Sequence, residues 1–259
     1  MQADRPVTRL SAVAIRYSTD PGCPVAFAAE PARLRLLWLY GDQIAWELRM
    51  VVLAEHKGPW RSLDRLDELQ RQPGMPIDPR ERLWAAATIH ACRAVVATRL
   101  RWPDREAALL RRLRVLAMAG ALLDDSDTLE LAAAQAGLPV SELAAYCAEP
   151  EVEDALRADA AAALPSPSYE IRRVSEPADH VEVRGLRPIE AYEAALADLA
   201  PEMERRPDPE SATDVLAWAR TPLATAEIAA VCGRDVAAVR AELAPARFEP
   251  VAGDGYWSC

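Results

Sequence analysis

No two cysteines in this sequence stand at Cys-x-x-Cys spacing. Cys23, Cys92, Cys147, Cys232 and Cys259 are widely scattered, which argues against a zinc site and, in a reducing compartment, against a disulfide framework. Lysine is almost absent: Lys57 stands alone, and every other basic side chain is arginine. The balance is acidic, with a net charge of −10 and a pI near 5.0. Nucleic acid and anionic membranes reward clustered Lys and Arg, so neither is expected as the main partner. No stretch reaches the ~18 apolar residues of a membrane span. A signal peptide is also missing from the start, where Met1 to Pro6 is polar and Arg9 and Arg16 interrupt the first apolar run. A soluble cytoplasmic protein is expected.

What is present is enough apolar material for a core, 51% of 259 residues. Leu10 to Ser18 is short, apolar and partly β-branched, as a buried strand requires. The turn Thr19-Asp20-Pro21-Gly22 follows, and from Pro24 apolar residues recur at helical spacing as far as Tyr40, where Gly41 supplies a stop. Gln43 to Leu53 reads as a second strand. Chain handedness makes this strand–helix–strand crossover right-handed and its strands parallel.

Helical periodicity then dominates: Pro79 to Leu100, Arg105 to Leu122, Asp127 to Gly137, Pro139 to Ala148 and Glu151 to Leu164. Strand-like sequence returns at Ser168 to Val174 and His180 to Val183, a hairpin across Glu176-Pro177-Ala178, before a helix over Ile189 to Leu199. Arg205 to Glu210 is Pro-rich and charged, as a linker would be. Beyond it come three short helical patterns, Ala212 to Arg220, Thr225 to Cys232 and Val236 to Leu243, and a hairpin within Arg247 to Cys259 turning at Gly253-Asp254-Gly255. Three helices and a hairpin is a winged-helix-like layout. From Pro207 onward, however, eight acids oppose four arginines, a net of −4. DNA readers need a basic face, so a structural or partner-docking role is expected of residues 207–259.

Several pieces agree in order with one family. Asp20-Pro21-Gly22-Cys23-Pro24-Val25-Ala26 resembles the active-site turn of DsbA-like thioredoxin-fold proteins, written Asp-Pro-x-Cys-Pro-Trp-Cys or Ser. Ala91-Cys92-Arg93-Ala94-Val95 resembles a segment of the inserted helices in the cytoplasmic FrnE-like branch. Ser166-Pro167-Ser168-Tyr169 resembles the Val/Thr-Pro-Thr segment, whose proline is cis and faces the active-site cysteine. Arg187-Pro188 through Ala194 resembles that branch's final helix. The resemblance covers residues 7 to 200. It implies an α/β thioredoxin domain over residues 1–206, with a helical insertion at about 79–164 and a winged-helix-like appendage at 207–259. It also implies a site made of Cys23 and Pro24 with Ser166, Pro167 and Ser168, the backbone of Ser166 and the hydroxyl of Ser168 meeting the substrate. The departures bear on chemistry: Ala26 stands where the family has its resolving residue, and Val25 replaces an aromatic.

Apart from any family, a thiol at a helix N-terminus faces unpaired N–H groups and the positive end of the macrodipole, which favour thiolate. Pro24 at the first helical position suits that start. Cys23 is therefore either a working nucleophile with a lowered pKa or a relic of one. A single thiolate can exchange with a disulfide and be released by a low-molecular-weight thiol cosubstrate, or add to an electrophilic carbon as an isomerase. The competing reading is a non-catalytic binding or adaptor protein. Cys92 reads as a packed helix cysteine or a distant resolving thiol, Cys147 and Cys232 as core, and Cys259 as a terminal thiol. His56, His90 and His180 stand at no catalytic or metal spacing, Trp38, Trp46, Trp84 and Trp218 read as core, and Asp124-Asp125-Ser126-Asp127 lacks the calcium-loop spacing. No metal and no bound cofactor is expected.

Overall fold

The structure, a computed structural model, describes residues 11–59, 69, 74–78, 80, 84–251 and 254–258. The first strand, β1 (Val13–Thr19), is buried on both faces except at Arg16, as a central strand covered on two sides must be. The helix expected from Pro24 to Tyr40 is instead two: α1 (Pro24–Ala28) and α2 (Glu30–Tyr40). Pro31 lies in the first turn of α2, where it has no N–H to offer a continuous helix and its ring opposes the carbonyl of Phe27. The second strand, β2 (Ile44–Met50), stops before Leu53 because Val52 turns out of the sheet at φ +54.

A short strand, β4 (Trp84–Ala85), which pairs with β3 (Gly58–Pro59), occupies part of the stretch expected to be helical from Pro79. The helix, α3 (Ile89–Arg101), starts later because the N–H groups of Thr88 and Ile89 both donate to the carbonyl of Ala54, at 2.7 and 3.2 Å. Then follow α4 (Glu106–Met118), α5 (Ser126–Gln135), α6 (Val140–Tyr146) and α7 (Pro150–Ala162). The chain returns to the sheet as β5 (Ser168–Arg173) and β6 (His180–Arg184), and α8 (Ile189–Leu199) packs against both. The sheet order is β2-β1-β5-β6, with β1 and β2 parallel and the other pairs antiparallel. This is the thioredoxin fold with a large helical insertion between β2 and β5.

The last part contains α9 (Ala212–Ala219), β7 (Leu223–Ala224), α10 (Thr225–Cys232), α11 (Val236–Glu242), β8 (Arg247–Val251) and β9 (Asp254–Ser258). The strands form a small sheet in the order β7-β9-β8; Gly253 of the expected turn and Cys259 lie outside the described residues. These are the three helices and the hairpin that the sequence suggests, with one short strand, β7, added between the first two helices. Here α10 packs on α2, and the apolar residues of this last part join the same buried cluster as the thioredoxin part. The stretch expected to be a linker is held against α2: Arg206 N donates to Leu39 O at 2.8 Å, Trp38 Nε1 to Pro207 O at 2.9 Å, and Asp208 pairs with Arg35 at 2.8 Å.

Buried charge joins the three parts. Arg114 of α4 is 1% exposed and reaches Glu30 of α2, Thr19 Oγ1 and, at 3.1 Å, Tyr17 Oη of β1. Glu30 also accepts from Arg33 at 3.1 Å. One turn earlier in α4, Arg111 donates to Glu227 of α10 at 2.7 Å, with its guanidinium against the rings of Phe27 and Tyr256. Burial alone would raise the Glu30 pKa, but Arg33, Arg114 and Arg111 outweigh it and hold the carboxyl below its ordinary range.

Removing one partner of such a pair strands a buried charge. Glu227→Ala or Glu30→Ala should each cost about 3–5 kcal/mol of unfolding free energy, read from denaturant midpoints at unchanged slope. A cost below about 1 kcal/mol contradicts a buried pair. Glu30's folded pKa lies under its unfolded value of about 4.3, so its contribution is complete above that pH and is lost as pH falls through the folded pKa. Glu30→Gln should therefore flatten the acid limb of the stability curve.

Candidate active site

The turn after β1 is built around Asp20, which is fully buried. Its carboxylate accepts from Gly22 N at 2.6 Å, Leu53 N at 2.8 Å, Thr88 Oγ1 at 2.7 Å and Cys92 Sγ at 3.4 Å. Gly22 leaves no room for a side chain, since a Cβ there would come within 2.8 Å of the Thr88 methyl. These contacts bring the β1 turn, the end of β2 and the start of α3 onto one carboxylate. Cys23 then caps α1, its N–H donating to Asp20 O at 3.2 Å and its Sγ accepting from Ala26 N at 3.4 Å. Pro24 sits in the first turn, as the sequence suggests.

Across from Cys23 lies the return segment into β5. The Ser166–Pro167 bond is cis, while the bond before Pro165 is not. The Ser166 hydroxyl is buried without a hydrogen-bond partner, and it stands near enough to Cys23 to favour the thiolate, though short of full hydrogen-bond geometry. Ser168 is turned inward, its hydroxyl donating to Pro165 O, so it is not presented to a substrate as expected. Ala26 is fully buried where the family's resolving residue would stand.

The charge balance at Cys23 corrects the expectation of a lowered pKa. The side chain is 4% exposed, and burial pushes the thiol above the ordinary cysteine range. Ser166, the Ala26 N–H and Arg114 act in the opposite direction, while the Asp20 carboxylate adds to the rise. Desolvation of the charge therefore wins over the helix terminus. Cys92 is buried too, and burial together with Asp20 raises its thiol well above normal. Cys147 is half-buried and pushed up to about 11 by burial, and Cys232 is buried at the end of α10. The four described cysteines are free thiols. Among the described residues no group of three His, Cys, Asp or Glu side chains could hold a metal, and no helix is long and apolar enough to cross a membrane.

The sequence did not single out Asp20, Thr88 or Arg114. Their signal was present in part: Arg111 and Arg114 stand three apart on the apolar side of α4, where an unpaired arginine would be costly. The pH profile of Cys23 alkylation, followed by peptide mass, should have its midpoint above about 8.5. Asp20→Asn removes the neighbouring negative charge and should move that midpoint down. A midpoint below 7 in the unaltered protein, as expected for an activated thiolate, contradicts this electrostatic account.

No family model matches this sequence, and no curated protein does either. Solved structures do. A candidate protein disulfide isomerase from Nitrosomonas europaea superposes with a TM-score of 0.61 at 17% identity, covering 73% of this chain and 97% of that one. A candidate DsbA oxidoreductase from Streptomyces coelicolor gives 0.58 at 19% identity, covering 75% and 92%. The cytosolic disulfide reductase DsbM from Pseudomonas aeruginosa, solved with GSH, gives 0.54 at 15% identity, covering 66% and 89%. With the cysteine-capped helix, the cis proline segment and the inserted helices, these likenesses identify the fold of this chain as that of the DsbA-like thioredoxin-fold proteins.

Proposed function

We propose that this protein carries out thiol–disulfide exchange through Cys23 as its single nucleophile, with a low-molecular-weight thiol as cosubstrate and no bound cofactor. The observation that carries the reading is a sulfur that already accepts one N–H and has an unpartnered hydroxyl beside it. The Ala26 N–H is bonded to Cys23 Sγ, and the buried Ser166 hydroxyl stands nearby with no hydrogen-bond partner. A thiolate would use both donors, which stabilise charge more than they stabilise a neutral thiol. A small thiol as cosubstrate is supported by the fold neighbour DsbM, solved with GSH, and a cytoplasmic location by the same neighbour's description as cytosolic.

In the reaction, the Cys23 thiolate attacks one sulfur of a disulfide, forming a mixed disulfide and expelling the other half as a thiolate. Ala26 offers no second sulfur at the usual position. An external thiolate then attacks the substrate-derived sulfur, carries it away as a new disulfide and returns Cys23 to the thiolate. A second external thiol reduces that disulfide, so two electrons come from two small thiols. Because burial raises the Cys23 pKa, exchange should accelerate as pH rises.

Incubation with oxidised glutathione, followed by intact mass, should give one long-lived adduct that Cys23→Ser abolishes. Rapid collapse to an internal disulfide would show that Cys92, Cys147 or Cys259 resolves the adduct and that the single-thiol mechanism is wrong. If Cys23 is never modified while the fold persists, the binding or adaptor reading replaces catalysis, with residues 207–259 as its docking part.

A further inference from the structure

The helical insertion contains a cleft of about 510 Å³ between α3, α5, α6 and the start of α7. Its size falls within the ~300–1,000 Å³ of small-molecule sites. The cleft is separate from the Cys23 site. His90, Arg93 and Ala94 line it from one face of α3, while Thr88 and Cys92 meet Asp20 from the opposite face of the same helix.

Its floor is apolar. Leu129 and Ala133 come from α5, and Leu143 and Ala144 from α6. Alanines at two of these positions leave space that larger side chains would fill. The rim is charged and unbalanced. Arg93 is paired with Glu153 at 2.8 Å, whereas Glu130 and Glu149 have no cationic side chain within ion-pair distance among the described residues. Glu153 is also reached by Arg157 at 4.0 Å from outside the cleft, so the uncompensated carboxylates of the rim are Glu130 and Glu149. Apolar molecules with an anionic group meet that rim unfavourably, and those with a cationic group meet complementary charge.

We propose that this cleft binds a small organic cation with a hydrocarbon body, the chain lying on the Leu129–Leu143 floor and the cationic group between Glu130 and Glu149. This binding does not involve Cys23 and stands apart from thiol exchange.

The test is calorimetric titration, below micelle formation, with decyltrimethylammonium and with decyl sulfate as its anionic counterpart. The cation should bind at one site, and the sulfate should bind far more weakly. Ala144→Trp places bulk in the cleft from an exposed position and should abolish binding. The double variant Glu130→Gln, Glu149→Gln should weaken it about fivefold. Both variants alter exposed residues, and their melting temperatures check that the fold survives. Cation binding that is unchanged in Ala144→Trp overturns the site, as does a failure of the cation to bind. Binding lost in Ala144→Trp but unaffected in the double glutamine variant, or matched by decyl sulfate, overturns the cationic assignment.

Discussion

A guanidinium buried to 1% exposure organises this molecule. Arg114 belongs to the helical insertion, yet its partners are the Glu30 carboxylate of the first long helix and the Tyr17 and Thr19 hydroxyls of the central strand. Burying one charge costs several kcal/mol even after relaxation, and attraction in the interior offsets this only when geometry and further hydrogen bonds are good. Such a pair adds little net stability over an apolar replacement, but it is strongly selective against any arrangement that separates the partners. Arg111 extends the same logic by one turn, to Glu227 in the C-terminal part. The insertion is thus the middle element to which both other parts are tied.

The site inherits this construction. Tyr17 accepts from Arg114 and donates to the Ala26 carbonyl at 3.4 Å, so the strand, the insertion and the cysteine-bearing helix share one hydrogen-bonded path. Tyr17 also stacks on Tyr169 at 4.4 Å, which ties β1 to the strand that follows the cis proline. What encloses Cys23 also desolvates it. Each pKa unit is about 1.4 kcal/mol between thiol and thiolate, and the neighbouring donors only partly offset the penalty of burial. Burial therefore favours the protonated thiol over the thiolate.

Much of the fold could be read directly from the residues. The hydrophobic runs at Ile15 and Trp46 and the helix over Ile189 to Leu199 announced themselves by periodicity, and the Pro167 segment by resemblance. The same resemblance located Cys23 and Ser166 on facing elements. What could not be read were terms that depend on three-dimensional neighbours. Pro31 splits a helix that periodicity made continuous. Ala54 takes the N–H groups of Thr88 and Ile89 and delays the next one. Ser168 spends its hydroxyl on Pro165. The sign of the Cys23 shift depends on such a term too: a helix terminus is visible in sequence, but the depth at which it is buried is not. The Pro-rich stretch before Ala212 has the composition of a tether, but Trp38, Arg35 and Leu39 hold it in place.

Buried ion pairs should make the thioredoxin part, the insertion and the C-terminal part open together. Native-state hydrogen exchange measures this directly, through the opening free energies of amides in β1, α4 and α10 under increasing denaturant. The most protected amides of all three should converge on one global value. Exchange from α10 through a separate opening of much lower free energy, with β1 and α4 still protected, would contradict it.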